Sequence, residues 1–175
     1  MVRYEQTGTD DHLRQILALQ RLNLPANLSQ QEMRSQGFLT VEHTFPLLKA
    51  MHDVVPHTMA VHQNEVVGYA LSMHPKFVDE IEVLRSMFVE IKKAMDKNDR
   101  YLVMGQICVA KNYRGQGVFR GLYTHMQRFL TNRFDKIITE VDVKNVRSMQ
   151  AHKAVGFREL KRYRSGDKEW SLIVF

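Results

Sequence analysis

Between Val109 and Arg120 the chain passes from strand-forming residues, through the paired glycines of Arg114-Gly115-Gln116-Gly117, into a helix-forming segment. Ahead of the glycines, residues 101–110 read as a central strand; behind them Val118, Leu122, Met126 and Phe129 fall on one helix face, and residues 136–143 read as the next strand. A strand, a glycine turn, a helix and a strand in succession require helices layered on a sheet. Glycine lets the backbone turn tightly and come close to a ligand, while the free N–H groups and positive dipole end of the new helix suit phosphate oxygens. Lys111, Arg114 and Arg120 add positive charge nearby. The P-loop pattern is absent, and the dinucleotide fingerprint fails because Arg120 stands where its third glycine belongs. Two readings stay open on this segment alone: a bare strand-to-helix turn, or an anion cradle.

The flanking sequence extends the same mixed pattern. Residues 2–6 read as a short strand, and Thr9 can cap a helix through about residue 22, with Asp10 and Asp11 in its first turn. Ser29-Gln-Gln-Glu32 has capping-box spacing for a short helix closed by Gly37, and Pro46 suits the first turn of another through Asp53. Strand-forming residues 57–61 and 66–72 flank Gln63-Asn64, a two-residue hairpin signal. Phe77, Ile81, Leu84, Phe88, Ile91 and Met95 recur at steps of 4, 3, 4, 3 and 4, which predicts one amphipathic helix over 77–95. Residues 157–164 and 168–175 read as a final strand pair turned at Ser165-Gly166-Asp167, and Asn145 opens the helix before them. No repeat, linker or low-complexity tract divides the chain, so residues 1–175 are expected to form one domain.

Composition narrows the class further. The net charge of +6 draws in phosphate-bearing ligands, nucleic acid or acidic membrane without choosing among them. Cys108 is the only cysteine, which excludes an intramolecular disulfide and fits a reducing, cytoplasmic setting. No apolar run approaches the roughly 20 residues that span a bilayer, so no membrane association is expected. The steps of five between His52, His57 and His62 fit neither a helix face nor a strand face, so no metal site is expected.

Downstream of the glycine turn lies Glu140-Val-Asp142-Val-Lys-Asn145-Val-Arg-Ser148-Met-Gln-Ala151-His152-Lys-Ala-Val-Gly156-Phe157. The two segments together resemble the GNAT superfamily of acyl-CoA-dependent N-acyltransferases, whose pattern is V-x-x-x-[YF]-[QR]-x-x-G-x-[GA], a helix, a strand, then N-x-x-A-x-x-x-Y-x-x-x-G-[FY]. Val109, Tyr113, Arg114, Gly117, Asn145, Gly156 and Phe157 match in order, within residues 101–160. Phe119 stands where the family has a small residue, Lys111 where proline is common, Ser148 in place of alanine and His152 in place of tyrosine. Residues 23–56 and 76–100 find no counterpart.

The resemblance implies an α/β fold: a central mixed, mostly antiparallel sheet of about six or seven strands with a splayed parallel pair, flanked by helices. It implies an N-acetyltransferase with acetyl-CoA as donor and an unidentified primary amine, of a small molecule or a protein, as acceptor. Cofactor contacts would come from Ile107, Cys108 and Val109 on the strand edge, from Arg114, Gly115, Gln116, Gly117, Val118, Phe119 and Arg120 at the pyrophosphate, and from Asn145. Asn145 could equally cap its helix. Glu140 is the leading candidate base, the alternative being a solvated strand-end carboxylate. His152 would replace the family's tyrosine as acid beside the departing sulfur, the alternative being a packed helix residue. The 77–95 helix could cover the acceptor site or pair with a second subunit. Two other classes are kept: a CoA-binding sensor or inactive relative, and a basic nucleic-acid binder, which the lack of interleaved aromatic platforms disfavours.

Overall fold

Local chemistry sets most of the helix starts. The Thr9 side chain accepts the His12 N–H and opens α1 (Asp10–Leu22), whose inner face buries Leu13, Ile16 and Leu17. Ser29 and Glu32 exchange hydrogen bonds as a capping box for α2 (Gln30–Gln36), and Gly37, at φ +80°, ends it. Pro46 occupies the first turn of α3 (Phe45–Val54), which buries Leu48 and Met51. Strands β1 (Arg3–Gln6), β2 (Thr58–His62) and β3 (Glu65–Met73) follow the expected segments, the last two joined at Gln63 and Asn64 with φ of 51° and 64°. The computed structural model describes residues 1–175, the side chain of Val83 excepted.

The expected single helix over 77–95 is shorter. Helical turns at Pro75–Phe77 and Glu82–Leu84 precede α4 (Arg85–Ala94), because Ile81 is extended (φ −128°, ψ 91°) and breaks the ladder. Phe77, Ile81, Leu84, Phe88 and Ile91 are nonetheless all buried. Their helical spacing reported which residues face inward, and short turns satisfy that spacing as well as one helix does. The apolar face of α4 is thereby spent on the core, leaving Val89 exposed.

The rest of the chain forms β4 (Tyr101–Val109), α5 (Val118–Leu130), β5 (Lys136–Asp142), α6 (Val146–Val155), β6 (Arg158–Ser165) and β7 (Lys168–Val174). One seven-stranded sheet results, in the order β1-β2-β3-β4-β5-β7-β6. Every neighbouring pair is antiparallel except β4 with β5. Pairing of β4 with β5 stops at Val103 opposite Ile138, while β4 continues to Val109 against β3 alone. A wedge therefore opens between the two parallel strands.

Side chains alternate across the sheet, so Ile138 joins a core beneath α1, α3 and α4, and Ile137 and Val141 join another beneath α5. Tyr4 on β1 touches α5 so closely that a Cβ on Gly121 would lie 2.1 Å from its ring, which leaves glycine as the residue that fits. Among the described residues no helix is long and apolar enough to cross a membrane.

Candidate active site

A cavity of about 480 Å3 occupies the wedge, lined by Ile107, Cys108 and Val109 of β4, the glycine turn, the first turn of α5 and one face of α6. Its chemistry begins with backbone. Beyond Val103 the β5-facing edge of β4 has no strand partner, leaving peptide groups for a ligand with amide functions of its own. Gly117, in the left-handed region at φ +80°, precedes α5, and no side chain caps that helix. Its first N–H groups and positive dipole end therefore face the cavity unspent. A Cβ at Gly115 or Gly117 would meet nothing within 4 Å, so their approach is open to a ligand.

The charged residues are more constrained than their sequence suggests. Arg114 lines the cavity, but its guanidinium donates to Val109 O (2.9 Å), Asn23 Oδ1 (2.6 Å) and Gln36 Oε1 (3.2 Å). It pins a strap formed by residues 23–39 against β4. Lys111 ties to the same strap through Glu32 at 3.0 Å. Arg120 donates to Ala154 O at 2.6 Å and so links α5 to the end of α6. Asn145 does two jobs: its Oδ1 accepts the Ser148 N–H as the cap of α6, and its Nδ2 donates to Phe38 O in the strap. Val118, Phe119 and Asn145 line the cavity; Gln116 does not, and its side chain donates to Asn112 O at 2.7 Å.

His152 is placed apart from the cavity, although two helical turns from Asn145 would bring it to the same face. The imidazole is 2% exposed and boxed edge-on by Phe119 (5.0 Å), Tyr123 (5.5 Å) and Phe157 (5.0 Å). Its Nδ1 lies 2.8 Å from Ser148 O, and since a carbonyl only accepts, Nδ1 carries the hydrogen. Nε2 then accepts from the Tyr123 hydroxyl at 2.8 Å. Burial lowers its pKa to about 4. The ring is neutral and has no spare proton directed at the cavity. Three of the four departures from the family pattern meet here: the bulk of Phe119 packs directly on His152, whose Nδ1 donates to Ser148 O.

Glu140 stands on β5 two residues beyond Ile138, on the opposite bank of the wedge from β4. It does not line the cavity itself. Its half-buried carboxylate accepts the Tyr163 hydroxyl, reaching across β7, and burial raises its pKa to about 7 while that hydrogen bond pulls it down. The same burial, with the neighbouring carboxylate, drives the Tyr163 hydroxyl far upward, so it stays a donor. Cys108 lines the cavity, yet burial pushes its thiol up to about 12, which leaves almost no thiolate at neutral pH.

Tyr163, Tyr123 and the strap residues Asn23, Gln36, Gly37, Phe38 and Leu39 were not named as site residues from sequence; Gly37 was read only as a helix stop. Tyr163 was placed only within the expected strand 157–164, and nothing local marks which strand it will reach across. The strap's helix was legible from its capping box, but its docking depends on partners 78 and 91 residues away.

Known proteins bear on this geometry. The family model for the Acetyltransferase (GNAT) family matches residues 16–157. No curated protein matches the sequence. Among solved structures, a chain of the NatC complex bound to Gag peptide and CoA aligns at a TM-score of 0.67 and 16% identity, over 99% of this chain and 96% of that one. Arabidopsis thaliana NAA60 in complex with acetyl-CoA aligns at 0.66 and 14%, over 100% and 99%. The ribosomal-protein-S18-alanine N-acetyltransferase from Escherichia coli aligns at 0.63 and 15%, over 99% and 92%. At these identities the structures speak for the fold, and the family match carries the acetyl-CoA-dependent chemistry. With a splayed parallel pair, an uncapped helix start behind a glycine turn, and a family match across most of its length, the chain belongs to the GNAT acetyltransferase family.

Proposed function

We propose that the chain moves the acetyl group of acetyl-CoA to a primary amine by direct attack, with Glu140 as the base. The observation that carries this reading is the wedge itself: unpaired β4 backbone and the uncapped start of α5 share one cavity, and a carboxylate with a pKa of about 7 stands on its other bank. The pyrophosphate is assigned to the N–H groups at residues 115–120, and the amide-bearing arm to the edge of residues 107–109. A β4 N–H polarises the thioester carbonyl, a contribution of about 3 kcal/mol in comparable oxyanion sites. A free alkylamine has a pKa near 10.4, so at neutral pH the acceptor must surrender a proton. A carboxylate held near neutrality is well matched to take it, directly or through a water.

Cys108 supports direct transfer over a cysteine-bound intermediate, because its thiol stays protonated. His152 is assigned a packing role, since both its nitrogens are engaged; a thiolate with pKa near 8.5 leaves without strong need of an acid. A lone buried cysteine also supports a reducing, cytoplasmic setting.

The test has two parts. Acetyl-CoA at a hundred times its Kd stabilises the fold by about 2.7 kcal/mol, a melting shift of several degrees, and Gly117→Asp abolishes the shift by placing negative charge at the cradle. Free-thiol release is then followed over an amine panel. Release with at least one amine supports transfer; a thermal shift without release from any amine supports a CoA-binding sensor; no shift at millimolar acetyl-CoA overturns both.

A further inference from the structure

Strict alternation along β4 would send Gln106 to the α5 side of the sheet together with Met104. The strand departs from that pattern. Ser72 pairs with Met104 and Ala70 with Ile107, so Gly105 and Gln106 both stand opposite Leu71, a β-bulge that turns Gln106 to the face beneath α1, α3 and α4. There Gln106 is 6% exposed; its Oε1 accepts the Tyr69 hydroxyl at 2.7 Å and its Nε2 donates to Val41 O at 2.6 Å. A buried amide carries a desolvation cost that an apolar side chain avoids, and its hydrogen bonds must offset it. One of those two bonds is to the strap.

Register places that bond beside the chemistry. Val103 and Ile138 form the last rung of the parallel pair, and two residues further along each strand Gly105 comes level with Glu140. Glu140 shares the sheet face of Ile138, which is the face Gln106 reaches. An amine that gives its proton to Glu140 therefore enters on this side, away from the cradle at α5. The strap crosses that entrance. Phe38 O accepts Asn145 Nδ2 from the β5 side at 3.4 Å, and Gln106 holds Val41 O from β4. Residues 38–41 thus form a bar tied to both banks, about 10 Å long at the rise of an extended chain. Phe38 and Leu39 of the bar line the wedge cavity.

We propose that Gln106 is a positioning residue for the acceptor: through Val41 it fixes the bar that walls the amine's approach to the thioester. The proposal rests on the acetyl-transfer reading above and adds what sets the acceptor in place. Gln106 does not line the wedge and acts through the bar, whose Phe38 and Leu39 offer the acceptor's carbon chain an apolar wall.

Steady-state kinetics at saturating acetyl-CoA test this, with n-butylamine, 1,4-diaminobutane, alanine amide and lysine amide as probes and the fastest of them carried into the variants. Gln106→Met keeps the side-chain length and removes both hydrogen bonds. It is expected to raise the amine KM about tenfold or more, with kcat within about threefold and acetyl-CoA Kd within about twofold, the pattern of lost acceptor binding. Tyr69→Phe removes only the core-side bond and should leave the amine KM within about twofold of wild type. Thr40→Gly loosens the bar at an exposed position and should raise the amine KM about threefold; it carries the test if Gln106→Met shows no acetyl-CoA melting shift and so has not folded. An amine KM unchanged in the folded Gln106→Met, or in Thr40→Gly where it stands in, overturns the proposal while leaving acetyl transfer intact. So does a rise that Tyr69→Phe matches, or a loss that falls on kcat or acetyl-CoA affinity instead. Hydrogen exchange of residues 38–42 in the acetyl-CoA complex reads the bar without turnover. Exchange that Gln106→Met speeds and Tyr69→Phe does not, with no amine acetylated, supports the hold on the bar and defeats the acetyl-transfer reading instead.

Discussion

The two interiors that hold Glu140 and His152 are built alike: in each, a titratable side chain is withdrawn from water and accepts a hydrogen bond from a tyrosine hydroxyl. Desolvation penalises charge in both, with opposite consequences. For the carboxylate it raises the pKa to about 7, inside the range where a base is useful. For the imidazole it lowers the pKa to about 4, outside that range. Sequence presents both residues as proton carriers beside one cofactor. Their surroundings separate a chemical candidate from a packing residue, and the sign of the charged form decides which is which.

The largest effect that can break this contrast is at Glu140. Glu140→Gln keeps shape and the tyrosine contact but removes basicity, and is expected to lower kcat/KM about 10²-fold or more at pH 8, with acetyl-CoA affinity within twofold. Stability should move the other way. A carboxyl whose folded pKa lies above its unfolded value favours the fold most below about pH 4.3 and loses that advantage as pH rises toward 7. At pH 8 the variant should melt higher than wild type, which separates lost chemistry from lost folding.

Tyr163→Phe sharpens the same side at smaller scale. Its hydroxyl favours the ionised carboxylate, so removing it should raise the pKa of Glu140 further and cost about three- to tenfold in kcat at pH 7, recovering toward wild type at pH 9. A loss equal at both pH values would make Tyr163 a structural neighbour only.

The smallest catalytic effect is expected at His152. His152→Ala should change kcat by less than about threefold while costing about 2–4 kcal/mol, through the cavity left between aromatic rings and the unsatisfied Tyr123 hydroxyl. Because the folded imidazole titrates near 4, its contribution is complete above about pH 6.5 and is lost as pH falls toward 4. The variant should therefore lose less of its melting temperature than wild type over that interval. A tenfold or greater fall in kcat, with the fold intact, would return His152 to the reaction.

Legibility follows the range of the forces involved. The strand, glycine turn and helix of residues 101–130 are written in neighbouring residues, and so are the Gln63-Asn64 hairpin and both N-caps at Thr9 and Ser29. The helix expected over 77–95 was half right, since inward-facing spacing survives when Ile81 breaks the backbone. Of the cofactor contacts expected from sequence, residues 107–109, 115 and 117–120 come together in the lining of the wedge cavity, and Gln116 does not. The site was not legible where side chains meet from distant elements: Glu140 with Tyr163 across β7, Arg114 with Asn23 and Gln36, and Phe119 against His152. Arg114 in particular looks like a phosphate ligand in sequence and is a strap anchor in the fold.

The central claim, that burial makes Glu140 and not His152 the proton acceptor, is tested most directly by the pH dependence of kcat, which reports groups in the enzyme–substrate complex. Saturating acetyl-CoA and amine are used for wild type, Glu140→Gln and His152→Ala between pH 5.5 and 9. The account predicts a rising limb with an apparent pKa near 7 in wild type and His152→Ala, and its disappearance in Glu140→Gln. A limb that persists in Glu140→Gln and vanishes in His152→Ala would contradict it.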